Sequence, residues 1–255
     1  NKSAVAHVIR TGIAIGGSIA DFTEFDRKNY FYPDIPKGYQ ITQLKYPLVS
    51  GGLLAGVPVT RIHLEEDTAR SSHAGGDFSL VDYNRAGIPL MELVTEPVIR
   101  SAEQASQFAK ELQLLLQTLG AGDANMEKGE MRVEANISVS KNAEFGTKVE
   151  VKNLNSFRAV EHAIAFEMKR HIDLIEAGGQ VIQETRGWDE TKEVTFSQRA
   201  KENSHDYRYF PEPDLPKIWI SKSSDLNIAA FSHTMPELPW NMRIRYVSEL
   251  GLKKE

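Results

Sequence analysis

Two stretches of the chain carry hydrophobic residues at helical spacing. Between Ala102 and Leu119, the residues Ala105, Phe108, Leu112, Leu115 and Leu119 fall on one side, the repeat of an amphipathic helix. Ser101 followed by Gln104 is a capping box, which supplies partners to backbone N–H groups orphaned at a helix start, and Gly120 is a natural stop. A second stripe runs from Phe157 to Ala177 through Val160, Ile164, Met168, Ile172 and Ile175, and ends at Gly178-Gly179. Ser3 to Ile13 is also helix-like. The two long helices are expected to cover a sheet.

Strict alternation marks strands. Met131, Val133, Ala135, Ile137 and Val139 alternate with Arg132, Glu134, Asn136 and Ser138. After a turn-like segment from Lys141 to Gly146, Val149 and Val151 alternate with Lys148, Glu150 and Lys152. The pattern predicts an antiparallel pair with one apolar and one charged face. Further strands are expected at Val57–Leu64, Ile88–Val94, Val181–Arg186 and Glu193–Gln198. The order is not a regular strand–helix alternation, which favours an α+β fold over a doubly wound sheet. Tyr30–Lys37 and Tyr209–Lys217 echo one another as aromatic, Pro-rich, acidic stretches and read as rigid loops. Beyond about Ser221 the character changes to Pro236, Pro239 and a helix-like run from Trp240 to Leu250, read as the first helices of another domain.

Composition narrows this little. The 255 residues are 41% hydrophobic and 25% charged, ordinary for a globular protein. The formal charge of −5 gives no basic footprint for nucleic acid, although a local basic patch is compatible with it. No apolar run approaches the ~20 residues of a membrane span, and no membrane role is expected. Cysteine is absent, which removes disulfides and thiolate zinc sites. The chain opens at Asn1 directly into helix-like sequence, with no Met and no signal-peptide pattern, and is expected to be part of a longer protein.

Chemistry enters at four places. The strand ending at Leu64 runs into Glu65-Glu66-Asp67. Hard cations such as Mg2+ take oxygen ligands, and nucleotide sites combine carboxylates with phosphate oxygens. Taken alone, a run of acids is more often a solvated turn. On an extended backbone Glu65 and Glu66 point to opposite faces. Glu92 is the single carboxylate within an apolar strand; buried there, it needs a cation, either a metal or a basic neighbour such as Arg85. Arg132, Glu134, Lys148 and Glu150 form a charged sheet face, which is either an outer surface or a phosphate- and Mg2+-binding wall. Phe25–Asp34, with Lys28 among aromatics, and Tyr207–Phe210 are packed loops or grips for phosphates and bases. Neither a P-loop nor an HExxH pattern occurs. His63 and His73 lack metal-site spacing and read as structural or hydrogen-bonding residues.

Phe25–Asp34, Arg61–Asp67, Leu80–Pro89, Val151–Phe157 and His205–Pro211 resemble, in the same order, motifs of the B subunit of the tRNA-dependent amidotransferase. The likeness runs from near Phe25 to Ile220 and continues more weakly on both sides. It implies ATP-dependent phosphorylation of the side-chain carboxylate of glutamate misacylated on tRNA(Gln), or of aspartate on tRNA(Asn). Ammonia from a glutaminase-type A subunit then displaces the phosphate, and a small C subunit completes a heterotrimer. The resemblance implies ATP and Mg2+ as cofactors, with Glu66 and Glu92 as metal ligands and Lys28 and Glu134 at the site. Glu134 stands where the family usually has Asp, so its reach is one methylene longer. Arg85, Arg132 and Lys148 are the cations expected to meet the nucleotide. The implied fold is a glutamine synthetase-like cradle, an antiparallel sheet backed by helices. Residues 1–221 would form that catalytic domain without its first strand, whose Glu and His metal-site residues would precede Asn1. Residues 222–255 would begin a helical domain. The implied location is the cytoplasm, or a mitochondrion or plastid in a eukaryote. The competing reading is a non-catalytic tRNA- or subunit-docking module.

Overall fold

Alternating segments and capped helices recur largely where the pattern places them. The computed structural model describes residues 1–72, 78–200 and 207–253. In order these run α1 (Lys2–Ala14), β1 (Ser18–Ile19), β2 (Phe22–Thr23), β3 (Asp26–Asn29), β4 (Tyr39–Thr42), β5 (Val49–Ser50), β6 (Leu53–Leu54), β7 (Val57–Glu66), β8 (Arg70–Ser72), β9 (Leu80–Asp82) and β10 (Pro89–Thr95). There follow α2 (Ala102–Thr118), β11 (Val133–Ile137), β12 (Val149–Leu154), α3 (Phe157–Glu176), β13 (Glu184–Asp189), β14 (Val194–Ala200), β15 (Phe210–Pro211), β16 (Ile218–Trp219), α4 (Ile228–His233) and α5 (Pro239–Leu250). The result is a mixed α and β chain with several antiparallel sheets. Two compact units form, one from Asn1–Val98 with Asp206–Glu255 and the other from Ile99–His205. Among the described residues no helix is long and apolar enough to cross a membrane.

In the first unit β7 is the spine. It pairs antiparallel with β5, β6 and β10, and α1 packs against β5, β7 and β10. Gly12 makes that approach possible, because a Cβ there would lie 2.6 Å from Val49 Cγ2. The β7–β10 register slips once: Thr95 faces Val59 whereas Val94 faces Arg61, leaving Thr60 as the extra residue. A bulge of this kind switches which side later residues occupy. Val57 and Val59 are buried before it, Ile62 and Leu64 after it. Arg61, His63 and Glu65 therefore alternate onto the other face.

The run Phe25–Asp34 differs from the loop expected. Residues 26–29 form β3, which pairs with β4 on one side and β15 on the other. Local polar bonds hold this strand. The Asp26 carboxylate accepts from the Leu44 and Lys45 N–H groups at 2.9 and 3.3 Å, and Arg27 makes a two-pronged pair with Glu212 at 2.6 and 2.9 Å. The two echoing aromatic stretches thus meet around β3: one follows it, and the other supplies β15.

In the second unit the sheet order is β11-β12-β13-β14, antiparallel except for the parallel β12–β13 pair. Helix α3 lies on this sheet and α2 packs on α3, with residues of both helices in one core cluster with β11 and β12. Ala102, Ala109, Ala159 and Ala163 belong to one core cluster with Val151 and Leu154, and such short side chains permit close helix packing. Gln104 differs slightly from the capping box expected: Ser101 Oγ accepts from its N–H at 3.1 Å, while its own side chain accepts from Arg100 N–H at 2.9 Å. At the start of α3, Ser156 Oγ accepts from Ala159 N–H at 3.0 Å. Ser156→Ala is expected to lower stability by about 1 kcal/mol, read from the midpoint of denaturant unfolding. The stripe expected on α3 is correct at Val160 and Ile164, but farther on the buried positions are Glu167 and His171. Ile172 is left 40% exposed.

Candidate functional site

The β7–β10 register sets Glu92 opposite His63 and Leu90 opposite Glu65. Alternation then puts His63, Glu65 and Glu92 on one face. One ligand atom from each lies within 4.8 Å of the others. Glu66 points away from this group, accepts a hydrogen bond from Ile41 N–H at 2.9 Å and pairs with Lys37. The structure therefore brings Glu65, rather than the expected Glu66, to Glu92. The cause is the two-residue period of a strand acting on neighbouring carboxylates.

Glu65 is held firmly. Thr42 Oγ1 donates to it at 2.6 Å, Gln40 Nε2 at 3.1 Å, and His63 Nε2 lies 3.5 Å away. Burial works to raise its pKa, but His63, Lys28 and Thr42 outweigh burial and hold the carboxyl below its usual range. Glu92 goes the other way. Burial and then the neighbouring Glu65 charge push it up, against the opposing pull of His63, Lys28 and Arg61. Among the described residues Glu92 makes no hydrogen bond or ion pair. The basic neighbour considered for it, Arg85, instead sits 3.4 Å from Asp67 Oδ2, so Arg85 does not neutralise Glu92. His63 Nδ1 is also buried without a hydrogen-bond partner. Two carboxylates and an imidazole that converge, with one carboxylate destabilised by the other, fit a divalent cation. His63, read from spacing as structural, belongs to this cluster. The signal that finds it is the strand-type i, i+2 relation to Glu65, not a helical or loop spacing.

Lys28 stands opposite Gln40 on the β3–β4 pair. Its ammonium lies 5.0 Å from the Tyr207 ring centroid and 5.6 Å from that of Tyr30, contacts that order a cation without neutralising it. It lowers the carboxyls of both Glu65 and Glu92. Tyr30, Tyr207 and Tyr209 continue edge to face at 5.6 and 6.0 Å. The Tyr30 hydroxyl lies 3.2 Å from Gln40 Oε1, to which it donates. Burial raises the Tyr30 phenol, and burial followed by the Glu65 charge pushes Tyr209 up to about 12. Both therefore remain neutral hydroxyls at ordinary pH.

The other expected residues lie in the second unit. Glu134 is exposed on β11, with Lys152 Nζ 3.4 Å from its carboxylate; Arg132 is half-buried beside the same strand, and Lys148 is exposed just before β12. His73, and His205-Asp206 at the start of the last motif, lie outside the described residues.

Residues 1–224 match the family described as the GatB/GatE catalytic domain. The chain is 45% identical over 266 residues to the B subunit of the aspartyl/glutamyl-tRNA(Asn/Gln) amidotransferase of Carboxydothermus hydrogenoformans, a match that covers 99% of this chain and 55% of that protein. It is 47% identical over 262 residues to the protein of the same name from Thermodesulfovibrio yellowstonii, covering 99% and 54% respectively. The Nostoc punctiforme protein of that name is 47% identical over 273 residues, covering 99% and 55%. The chain thus spans about half the length of the curated relatives it matches.

Proposed function

Because the chain belongs to the GatB/GatE catalytic-domain family, we propose that it carries the activating core of a tRNA-dependent amidotransferase. The substrate is glutamate misacylated on tRNA(Gln), aspartate on tRNA(Asn), or both, as in the names of its relatives. The side-chain carboxylate attacks the γ-phosphorus of ATP and ADP leaves. Ammonia then attacks the activated carbonyl carbon, and phosphate departs as the amide forms. A glutaminase-type A subunit supplies the ammonia and a small C subunit joins the assembly. Residues 1–221 would serve as the cradle-type catalytic domain, and 222–255 would open a helical domain.

The convergence of His63, Glu65 and Glu92 on one face supports this reading most directly. These three residues would hold Mg2+, which when bound offsets the negative charge of phosphate and carboxylate as they approach. Gln40 and Thr42 fix the orientation of Glu65, leaving it ionised and aimed. Lys28, ordered between two tyrosine rings, offers a cation to anionic oxygens on the same side. The reading rests on the first unit alone.

The test uses full-length protein assembled with its partner subunits, Glu-tRNA(Gln), ATP and ammonium added directly, so that glutaminase activity is not needed. Formation of Gln-tRNA(Gln) with stoichiometric ADP and phosphate is expected. Amidation without ATP, or no amidation of either Glu-tRNA(Gln) or Asp-tRNA(Asn) in its presence, would overturn the proposal.

A further inference from the structure

Arg61 stands two residues before His63 on β7, opposite Val94, on the same face as His63, Glu65 and Glu92. It is half-buried, and its Nε is buried without a hydrogen-bond partner. Among the described residues it makes no hydrogen bond or ion pair. It is nonetheless close enough to act electrostatically on Glu92 and on Tyr209. A guanidinium has five N–H donors in a rigid fork shaped for carboxylate or phosphate oxygens. A buried Nε without a partner is costly unless a ligand completes it. The nearby carboxylates do not complete it: Glu65 is engaged by Thr42, Gln40 and His63, and Glu92 forms no pair with it.

The charge balance of this face identifies the ligand. Lys28 and Arg61 are both cationic, and neither makes an ion pair among the described residues. Glu65 and Glu92 together carry at most two negative charges, and a divalent cation would cancel them. The remaining excess then comes from Lys28 and Arg61, and it calls for a dianion rather than a single carboxylate. A tetrahedral phosphoryl group carries that charge and accepts two parallel N–H bonds from one guanidinium. Unbroken two-residue alternation beyond the bulge at Thr60 sets this arrangement, since it puts Arg61 on the face of His63 and Glu65.

We propose that Arg61 is a binding residue for the terminal phosphoryl group of the nucleotide, gripping it from β7 opposite the strand that carries Glu92. This rests on the amidotransferase reading above, and it assigns the nucleotide's anionic end to a residue whose role the sequence pattern leaves open. The phosphate, not the carboxylate of the aminoacyl group, is the ligand.

The experiment measures Mg-ATP and Mg-ADP affinity by calorimetry on full-length protein with its partner subunits, comparing wild type, Arg61→Lys and Arg61→Met. Loss of a two-pronged charged contact is expected to weaken Mg-ATP binding by roughly 10- to 100-fold in Arg61→Met, with a smaller loss in Arg61→Lys, which keeps the charge but not the fork. Mg-ADP, which lacks the terminal group, is expected to lose less. Binding of Mn2+ alone, followed by its paramagnetic relaxation, is expected to stay near the wild-type value and reports that the face is still folded. Equal Mg-ATP affinity in wild type and Arg61→Met would overturn the assignment. So would an unchanged Mg-ATP affinity accompanied by a raised KM for Glu-tRNA(Gln), which would give Arg61 to the aminoacyl carboxylate. If wild type itself bound no nucleotide, the amidotransferase reading would fall rather than the role of Arg61 within it. Should Arg61→Met fail to fold, Arg61→Lys carries the same comparison.

Discussion

Glu65→Gln in the full-length, assembled protein is expected to lower ATP-dependent amidation roughly 100- to 1,000-fold, while Glu66→Gln lowers it by less than about tenfold. The first figure corresponds to a few kcal/mol of lost charge stabilisation, the scale on which a bound metal ion acts. Glutamine keeps nearly the shape of glutamate: its one oxygen can accept from Gln40 Nε2 while the Thr42 hydroxyl turns to accept from its NH2 group, so the change removes mainly the charge. Glu66 lies on the opposite side of β7, where its carboxylate serves Ile41 N–H and Lys37. Glu92→Gln is expected to behave like Glu65→Gln, and the double variant to lose little more than either single one, because residues that hold one ion act as a unit. Initial rates with saturating ATP and ammonium check this. A larger loss at Glu66 than at Glu65 would move the cation to the other face of β7 and remove the basis of the site.

The distinction between Glu65 and Glu66 shows what the sequence can and cannot convey. That β7 and β10 are strands is visible from their runs of apolar residues, and that Glu92 sits unaccompanied within one of them is visible too. Which member of the acidic run faces Glu92 depends on the pairing register of strands separated by β8 and β9, and on the bulge at Thr60. A shift of one residue would exchange the two faces, and no local pattern encodes it. Lys28 is legible as a cation among aromatics, but its partner rings come from both Tyr30 and Tyr207, far apart in the chain. His63 escapes any search for metal-binding histidines at helical and loop spacings, because its partners are reached along and across strands. The charged face of β11 and β12 is legible as a face. Its Glu134 finds Lys152 across that sheet, the ordinary partnership of an outer surface.

The same limit applies with greater energetic consequence inside the second unit, at Glu167. Its side chain is fully buried, where a hydrophobic residue is the usual occupant. Arg170 meets it with two bonds at 2.9 and 2.7 Å. Arg186 Nε from β13 lies 3.1 Å away, His171 Nε2 lies 3.2 Å away, and Thr195 of β14 donates to the same carboxylate. Glu184 in turn pairs with Arg186 at 2.6 Å. The carboxylate thus ties α3 to β13 and β14. Burial works to raise its pKa, but His171, Arg170 and Thr195 outweigh burial and hold it at about 2, against an ordinary value of 4.5. Glu167→Ala removes the acceptor shared by Arg170, Arg186 and Thr195, leaving Glu184 as the carboxylate beside Arg186, and is expected to destabilise the second unit by about 3 kcal/mol. The pH dependence follows from the depressed pKa. The contribution of Glu167 is complete above its unfolded value of 4.5 and is lost progressively as pH falls toward about 2, a change of roughly 3 kcal/mol. Denaturant unfolding of wild type and Glu167→Gln between pH 6 and 3 checks the sign. The gap between them is expected to narrow as pH falls, because acid neutralises the wild-type carboxylate and leaves the glutamine unchanged. A gap that stays constant across this range would mean that Glu167 contributes through packing and not through its charge.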